Sequence, residues 1–507
     1  MIDLTALSGA MGLLFSAWEP WLLIIPGLMI GLIFGCIPGL QTSMAMAIFL
    51  PMTLFMDFVS AMFFLTSIFT GGMFGGGVSA ILMNIPGTSS AVATTFDGFP
   101  MARKGLHSEA LGLALGASGI GTAIGYLVLL LLIQPLSSFV LGLGPTEMFV
   151  VALWGLTLIA SLRGSHMARG ILAGVFGLLL GTVGMSANGV LRGTMDVDFL
   201  IDGIAVVPAM IGMFAAAELF GLSQSQYLVS DVTRRNVSLR RVISGITQTV
   251  RYPSVILRGG LIGVLIGAVP GIGSSVSNLV SYADARRRDK DPASFGTGNP
   301  KGVVASESAN SSSEGGSMVS LFALGLPGGG GTAVLLAAFA MHNVTGGPRF
   351  LRDHSDVVYT IIIANLVQAV LLIGVGLFTL QFLALIVRVR LNVLVPCVFV
   401  LATFGCYGLT GDMQGPLTLL VFAGIGWMFK RYNYSVPAAV IGLLLGRLTE
   451  GELLRSYQIT GGDLSYILDR PITLILLGLL LLAAAVPPLL AWRRGWRERR
   501  AVAEVAQ

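Results

Sequence analysis

The sequence GLMIGLIFGCIPGL at residues 27–40 is repeated as GGLIGVLIGAVPGI at residues 259–272. Three glycines spaced four residues apart and a following Pro-Gly pair match at one constant offset of 232 residues (270 − 38). Proline lacks an amide N–H and glycine lets the chain turn, so each copy predicts a helix that breaks inside an apolar segment. We infer from this repeat that the chain consists of two related halves.

A second Pro-Gly pair follows the first in each half. NIPGT at residues 84–88 corresponds to GLPG at residues 325–328, with an offset of 241 residues (327 − 86). Each half therefore carries two breaks in the same order. Transporters with inverted internal repeats place their ligand sites at broken helices of this kind.

Composition indicates that nearly the whole chain lies in a membrane. Of the 507 residues, 54% are hydrophobic and 11% are charged, and the mean hydropathy is +0.85, whereas soluble domains carry about 25% charged residues. Apolar runs close to the ~20 residues that span a bilayer recur from end to end, and no long polar block remains for a separate soluble domain. We predict an all-α polytopic membrane protein with two inverted-topology repeats, re-entrant hairpins, helices broken at Pro-Gly, and roughly 10–14 membrane segments.

Basic residues predict the orientation in the membrane. They cluster at residues 234–258, 286–301 and 493–500, and the positive-inside rule places all three clusters, and with them the C-terminus, in the cytoplasm. The apolar segment Gly259–Tyr282 lies between two such clusters, so we expect a re-entrant hairpin there instead of a spanning helix. The corresponding segment Gly27–Leu50 has only acidic flanks, which predicts that its hairpin enters from the opposite side.

These boundaries divide the chain into three parts. Residues 1–222 are predicted to form the first transmembrane repeat, residues 223–258 a basic cytoplasmic linker, and residues 259–507 the second transmembrane repeat with its basic cytoplasmic tail. We expect all three parts to belong to one multi-pass membrane protein.

A helix break at membrane depth supplies ligand groups. It frees backbone N–H groups, which attract an anion together with the helix dipole, and backbone carbonyls, which attract a small cation such as Na⁺. Hydroxyl and amide side chains follow each break, and they can hold a carboxylate through neutral hydrogen bonds or cap the new helix. The residues predicted to bind substrate are Pro38, Gly39, Gln41, Thr42, Ser43, Thr88, Ser89, Gly271, Gly273, Ser274, Ser275, Asn278 and Thr332. The predicted Na⁺ ligands are Asn84, Pro86, Gly87, Asp97, Asn310, Glu314, Gly325 and Pro327.

Two carboxylates stand out in the polar stretch Ala305–Gly316. Glu307 and Glu314 are seven residues apart, so they share one face of a helix. Intramembrane carboxylates are costly and usually functional, so each could bind a coupling cation or pair with an arginine. For Glu307, a position in water at the cytoplasmic interface is the alternative. Asp97 could likewise serve as a gate or an ion site, or lie in a solvated turn.

Other classes of membrane protein leave weaker signals in this sequence. No lysine follows a glycine, so this chain has no phosphate-binding loop, and an ATP-driven pump is disfavoured unless a separate subunit supplies the ATP energy. A channel-like anion pore would also use broken helices, and residues 116–119 (GASG) match weakly the serine motif of an intramembrane hydrolase. The cysteines Cys36, Cys397 and Cys406 share no metal-ligand spacing. We therefore expect no catalytic residue and no cofactor, and Na⁺ as the coupling ion.

The residues quoted above resemble the large membrane subunit of the tripartite tricarboxylate transporters. Besides the repeated glycine-proline segments, the resemblance rests on residues 84–88, 97–105 (DGFPMARKG), 179–184 (LLGTVG), 302–307 (GVVASE), 314–316 (EGG) and 461–464 (GGDL). It covers nearly the whole chain. The sequence departs from the family pattern at residues 306–308 and 311–313, where serines stand, and in the glycine-rich stretch 328–331.

The resemblance implies a secondary transporter of the bacterial inner membrane, driven by an ion gradient that is generally Na⁺. It implies two protein partners, a periplasmic solute-binding protein that delivers a carboxylate and a small four-helix membrane subunit. Substrates in this family include citrate, other di- and tricarboxylates, and some aromatic acids. Besides these partners and the lipid bilayer we expect no nucleic acid.

Overall fold

The computed structural model of the chain describes residues 3–37, 40–140, 142–161, 167–186, 189–217, 237–270, 274–382, 391–463, 470–478 and 480–481. These residues are helical or irregular except for one antiparallel pair, β1 (Gly184–Met185) and β2 (Leu191–Arg192). The α-helices are α1 (Leu4–Ser16), α2 (Glu19–Cys36), α3 (Thr42–Phe49), α4 (Phe58–Met83), α5 (Val92–Arg103), α6 (His107–Val140), α7 (Pro145–Ser161), α8 (Met167–Gly181), α9 (Val206–Ile211), α10 (Leu239–Thr249), α11 (Pro253–Gly267), α12 (Ser274–Arg288), α13 (Pro300–Leu324), α14 (Gly330–Met341), α15 (Pro348–Asp353), α16 (Ser355–Leu380), α17 (Leu391–Thr410), α18 (Gln414–Arg431) and α19 (Val436–Ile459). The predicted all-α fold is therefore confirmed.

The helices form two compact units. The larger unit consists of Met1–Leu141 and Ala205–Met428, and the smaller of Gly142–Ile204 and Phe429–Gln507. Within the smaller unit α19 packs against α7 and α8, and the fully buried Glu147 carboxylate pairs with Arg470 at 3.1 Å. All described residues that are predicted to bind substrate or Na⁺ belong to the larger unit.

Several helices are suited to a bilayer. Among the described residues, four helices are long and apolar enough to cross it, namely α2, α4, α6 and α16, and the pair α10–α11, bent by 80°, would be a fifth. α11 and α12 contain 15 residues each, about 22 Å of helix, which is shorter than the ~30 Å hydrocarbon core. They pack against each other as a hairpin does. The number of membrane segments and the side from which each hairpin enters stay predictions.

The repeated glycines hold two pairs of helices in close contact. α2 packs on α4, where a Cβ at Gly31 would lie 2.0 Å from the carbonyl oxygen of Ile68. α11 packs on α13 in the same manner, and a Cβ at Gly263 would lie 2.4 Å from the carbonyl oxygen of Ala309. Small residues permit such backbone contact between membrane helices. Helix packing therefore explains the glycine spacing that first revealed the repeat.

The second Pro-Gly pair of each half lies between two helices, as predicted. α4 ends at Asn84 with φ 59°, and α13 ends at Gly325 with φ 68°. Both residues adopt the left-handed conformation that asparagine and glycine tolerate. They are 241 positions apart (325 − 84), which is the offset of the Pro-Gly pairs themselves. After each break the chain starts a new helix, α5 or α14.

α4 and α13 correspond to each other in the predicted repeat, and they cross in opposite directions. Thr70 on α4 contacts Glu314, and two turns further along α4 Gly77 faces Glu307. Residue numbers thus rise along α4 as they fall along α13. An antiparallel relation between equivalent helices is what an inverted repeat requires; the orientation of the two halves in a membrane stays a prediction.

Each half also packs on the other. α1 lies against α16, and its counterpart α10 lies against α6. Likewise α4 contacts α16, and its counterpart α13 contacts α6. Because helices of each half pack against the other half, three helices of the first half, α4, α5 and α6, contact α13 at the centre of the larger unit.

Candidate functional site

α13 carries the polar stretch of the sequence through the centre of the larger unit. All residues from Gly302 to Met318 are buried, and the side chains of Glu307 and Glu314 are fully enclosed. The alternative in which Glu307 lies in water at the membrane interface is therefore wrong.

Hydroxyl groups from two neighbouring helices hold Glu307. Thr94 on α5 donates to its Oε1 atom at 2.5 Å, and Ser118 on α6 donates to its Oε2 atom at 3.1 Å. α4 closes a third side at Gly77, where a Cβ would lie 2.5 Å from Oε1. Three helices of the first half therefore surround a carboxylate of the second half.

Glu314, two turns further along α13, is held in a similar way but less completely. Thr70 on α4 and Tyr126 on α6 both donate to its Oε1 atom, each at 2.8 Å. Its Oε2 atom is buried and has no hydrogen-bond partner. Neither Glu314 nor Glu307 forms an ion pair with any residue in the described part of the chain. Pairing with an arginine is thus not found there.

Four buried oxygen atoms without hydrogen-bond partners belong to Glu314 itself and to residues within one helical turn of the two carboxylates or of their donors on α6. They are Glu314 Oε2, Asn310 Oδ1, Ser311 Oγ and Thr122 Oγ1, and we call these four residues the oxygen seam. Asn310 and Ser311 lie between the two glutamates on α13. Thr122 lies on α6 midway between the residues that donate to Glu307 and to Glu314. Buried polar atoms normally have partners, so four such atoms at neighbouring positions of two contacting helices are suited to hold a ligand.

The oxygen seam fits a hard cation. Carboxylate, amide and hydroxyl oxygens are the ligands that hard cations take in proteins, and each of the three occurs here. Asn310 and Glu314, both predicted as Na⁺ ligands, lie one turn apart on the same face of α13. The amide nitrogen of Asn310 donates to the Met73 carbonyl oxygen at 3.0 Å, which leaves its amide oxygen available. Among the described residues, no three His, Cys, Asp or Glu side chains form a metal-binding group.

Asp97 fastens a loop of the other half. Its Oδ1 atom accepts the backbone N–H groups of Gly296, Gly298 and Asn299 at 2.8 to 2.9 Å, and its Oδ2 atom accepts the Tyr282 hydroxyl at 2.9 Å. The carboxylate is fully buried, so the solvated turn is wrong. Four donors already surround its oxygens, a geometry that favours a gate or loop anchor over an ion ligand.

The substrate-binding candidates form two groups, each joining the two halves. In the first group the hydroxyls of Ser89 and Ser275 lie 2.8 Å apart. Asn278 donates through its amide nitrogen to the carbonyl oxygen of Ser90. The hydroxyls of Thr88 and Ser90 are 2.9 Å apart. The start of α12 thus meets the chain that follows the break after α4.

The second group joins the start of α3 to the start of α14. A Cβ at Gly330 would lie 3.0 Å from the side chain of Ser43, so the two segments are in contact. Thr332 accepts the N–H of Gly329 at 3.0 Å and therefore caps α14, a role that a hydroxyl residue after a helix break is expected to take. Thr42 presents a buried hydroxyl oxygen without a partner.

Both groups reach the same helix. The Thr42 side chain lies over Gly72, and the Thr88 side chain lies over Gly76, one turn further along α4. Thr70 on another face of α4 contacts Glu314. α4 therefore lies between the substrate-binding candidates and the oxygen seam.

The remaining predicted residues lie at the breaks or outside the described chain. Gln41 precedes α3 and Ser274 begins α12. Asn84 and Gly325 end helices, and the N–H of Gly87 donates to the Gly76 carbonyl oxygen at 3.2 Å. Among the described residues, no hydrogen bond that we find links these positions to Glu314. Pro38, Gly39, Gly271 and Gly273 lie outside the described residues, and Pro86 and Pro327 lie in the turns after α4 and α13.

The sequence does not reveal the side chains that the first half contributes to the carboxylate site. Thr70 and Tyr126 are single polar residues in apolar helices, which usually indicates only local capping or packing. Ser118 belongs to the weak hydrolase motif, and the structure shows that it donates to Glu307. The four-residue spacing of Ser118, Thr122 and Tyr126 is the one signal that could have identified a polar face on α6.

Comparison with known proteins gives one consistent result. The sequence model of the Tripartite tricarboxylate transporter TctA family matches residues 21–441. An uncharacterized 52.8 kDa protein in the TAR-I ttuC' 3'region of Agrobacterium vitis is 30% identical over 474 residues, which cover 92% of this chain and 93% of that protein. An uncharacterized protein in the TAR-II ttuC' 3'region of Agrobacterium vitis is 28% identical over 217 residues, which cover 43% of this chain and 90% of that protein. No solved structure matches.

Proposed function

This chain belongs to the tripartite tricarboxylate transporter TctA family, and we propose from that membership that it couples Na⁺ entry to the uptake of a di- or tricarboxylate or a related organic anion. The family makes the chain a membrane component of a tripartite tricarboxylate transporter and not an enzyme. The hydrolase alternative is therefore wrong. The family and the apolar helices agree on a multi-pass membrane protein.

The observation that carries the cation coupling is the open oxygen of Glu314 in the oxygen seam. An ionised carboxylate buried without a compensating charge is strongly disfavoured. Glu314 has two neutral donors on one oxygen and none on the other. A Na⁺ ion held by Glu314 and Asn310 would supply the missing charge and use both open oxygens. Thr122 and Ser311 add hydroxyl oxygens of the same kind.

The two groups at the helix starts support a site for an anion. Helix N-termini present free N–H groups and a positive dipole end, and α3, α12 and α14 all begin in these groups. Ser89, Ser275 and Thr42 add hydroxyl groups there. Neutral donors of this kind suit a carboxylate that must be released again. We propose that the substrate binds where these helix starts meet α4.

The position of α4 suggests how the two sites communicate. On one face of α4, Thr70 contacts Glu314. On another face, the side chain of Thr42 packs on Gly72 and that of Thr88 packs on Gly76. A cation that fixes Glu314 therefore fixes the helix against which the substrate groups pack. Ordering of one site by the ligand of the other produces positive coupling between them.

The other components follow from the tripartite family. We propose a periplasmic solute-binding protein that delivers the anion and a small four-helix membrane subunit that accompanies this chain. The location would be the bacterial inner membrane, with the C-terminus in the cytoplasm because its arginines, at residues 493–500, obey the positive-inside rule.

Transport by proteoliposomes that contain the complete transporter tests the proposal. Labelled citrate and a panel of other carboxylates are supplied outside with the binding protein, under an inward Na⁺ gradient or an equal K⁺ gradient. We expect accumulation above the external concentration only with Na⁺. Uptake that merely equilibrates and ignores the Na⁺ gradient would support the channel-like anion pore instead.

A further inference from the structure

We propose that the buried centre of the larger unit binds two Na⁺ ions at once, one at Glu314 and a second at Glu307. The Na⁺ ligands predicted from the sequence form a single set that includes Glu314, and Glu307 is there only a possible cation ligand, so a second site occupied at the same time is new. The inference rests on the proposed Na⁺ coupling and adds its stoichiometry, two cations for each transport cycle.

The first reason for two ions is the charge of the two buried carboxylates. Glu307 and Glu314 are both fully buried, and the groups that donate to their oxygens are neutral, namely hydroxyls and, at Glu307, also the Asn310 amide. Two ionised carboxylates in such a place require two positive charges. One Na⁺ ion would leave one of the carboxylates uncompensated.

The basic groups on the surrounding helices form no ion pair with Glu307 or Glu314 in the described part of the chain. Asp97 on α5 accepts four hydrogen bonds from the α12–α13 region, including the one from Tyr282. Arg258 on α11 lies 3.9 Å from Asp284 on α12. α4 contains no titratable side chain at all. Within the described chain, none of these helices offers Glu307 a basic partner.

On α6, Glu109 lies near the first turn, 3.7 Å from Arg241 on α10, and Tyr126 donates to Glu314. Neither side chain brings a positive charge to the centre. If both carboxylates are ionised, the compensating charges therefore have to come from bound ions.

The second reason is the distance between the two carboxylates. The two glutamates are seven residues apart, about 10 Å along the helix axis. Their donors on α6, Ser118 and Tyr126, are eight residues apart, about 12 Å along that axis. Oxygen ligands of hard cations lie about 2.3–2.6 Å from the ion. While these hydrogen bonds keep the two carboxylates at different positions along the helix axis, one cation cannot contact both of them.

The third reason is the set of unpartnered oxygen atoms between the two carboxylates. Asn310, Ser311 and Thr122 carry buried oxygens without partners, and they occupy the turn between the two carboxylates. Asn310 and Ser311 are each three or four residues from both glutamates, and Thr122 is four residues from both Ser118 and Tyr126. Each carboxylate therefore has unpartnered oxygens within one helical turn of it. The same turn can therefore supply oxygen ligands to a cation at either carboxylate.

Thermal unfolding of the purified full-length chain in detergent tests this stoichiometry, with Na⁺ as the probe and choline chloride keeping the ionic strength constant. Above the dissociation constants, each site stabilises the folded chain by an equal increment for every tenfold rise in Na⁺, so two sites give about twice the slope of one. We expect the rise in melting temperature per tenfold Na⁺ to be about twofold smaller in Glu307→Gln than in the wild type. Ser308→Ala, which removes a hydroxyl that bonds within its own helix, should keep the wild-type slope.

Equal slopes for the wild type and Glu307→Gln would overturn the second site while leaving the Na⁺ coupling intact. That result would also be expected if Glu307 held a proton. A wild-type chain that Na⁺ stabilises no better than choline would instead overturn the proposed function. If Glu307→Gln does not fold, Ser118→Ala decides, because it keeps the carboxylate and weakens one site only. For Ser118→Ala, the melting temperature plotted against the logarithm of the Na⁺ concentration should rise first with about half the wild-type slope and then, at higher Na⁺, with the full slope. A plot that is parallel to that of the wild type throughout would overturn the proposal.

Discussion

Thr70 of the first half donates a 2.8 Å hydrogen bond to Glu314 of the second half, although 244 residues separate them in the chain. The carboxylate that we assign to the cation is therefore enclosed by helices of the other repeat. The site exists only when the two halves are assembled. This relationship links the predicted repeat to the proposed chemistry.

The donors to Glu314 set its affinity for Na⁺. Tyr126→Phe and Thr70→Val each remove one hydrogen bond that favours the ionised, correctly oriented carboxylate. Hydrogen bonds to charged groups contribute about 1.5–3 kcal/mol, so the Na⁺ concentration for half-maximal uptake should rise about 10- to 100-fold. Initial uptake rates over a Na⁺ series measure this. Thr379→Val, which removes a buried hydroxyl bonded within its own helix, is the control, and an equal shift in that variant would contradict the assignment.

Substrate affinity should respond to a different set of residues. Ser89→Ala and Ser275→Ala each remove one hydroxyl from the contact between the two halves. A neutral hydrogen bond contributes about 0.5–1.5 kcal/mol, so we expect KM for the anion to rise about 2- to 10-fold, with the Na⁺ dependence unchanged. The exposed Ser254 provides a control variant, Ser254→Ala. A change in Na⁺ dependence without any change in KM would move these serines out of the substrate site.

The repeated glycines should govern stability. Gly31→Ala would place a Cβ 2.0 Å from the Ile68 carbonyl oxygen, and such overpacking costs about 1–3 kcal/mol. We expect a lower melting temperature in detergent and a lower yield of folded protein. Gly374 also lies in an apolar helix but has no atom within 4 Å of an added Cβ. Gly374→Ala should therefore leave the melting temperature unchanged or raised, and a similar loss in both variants would contradict the packing role.

Asp97 should control the loop between α12 and α13. Asp97→Ala removes the acceptor for the N–H groups of Gly296 and Gly298 and for the Tyr282 hydroxyl. We expect amide hydrogen exchange in this loop to accelerate by at least about tenfold, since each lost buried hydrogen bond costs about 1–3 kcal/mol. Asp291→Ala, at an exposed position in the same loop, should change little. Unchanged exchange in Asp97→Ala would show that the loop is held by other contacts.

The sequence predicts those features of the fold that depend on local chemistry. The breaks at Asn84 and Gly325 are predictable because Pro-Gly pairs end helices and because residues tolerant of left-handed backbone occupy the helix ends. Glu314 stands out because a carboxylate in an apolar segment is costly to bury and is therefore usually functional. Both inferences need only a few neighbouring residues, so a single sequence is sufficient for them.

The partners of that carboxylate cannot be predicted in the same way. Thr70 and Tyr126 meet Glu314 only through packing across the two halves, and a lone hydroxyl in an apolar helix has no pattern that indicates a distant contact. The four donors to Asp97, three of them backbone N–H groups, come from a segment about 200 residues away. Since the sequence does not show these donors, Asp97 looks there like an unpaired carboxylate that could bind an ion. Long-range pairing of this kind becomes visible only in the folded chain.

The central claim is that Glu314 binds the coupling cation, and the variant Glu314→Gln tests it most directly. Glutamine keeps the size of the side chain and removes the charge that Na⁺ requires. In proteoliposomes with the complete transporter and the binding protein, the wild type should accumulate its carboxylate under an inward Na⁺ gradient. Glu314→Gln, reconstituted in equal amount as folded protein, should accumulate none at any Na⁺ concentration. Accumulation equal to the wild type, with the same dependence on Na⁺, would contradict the account.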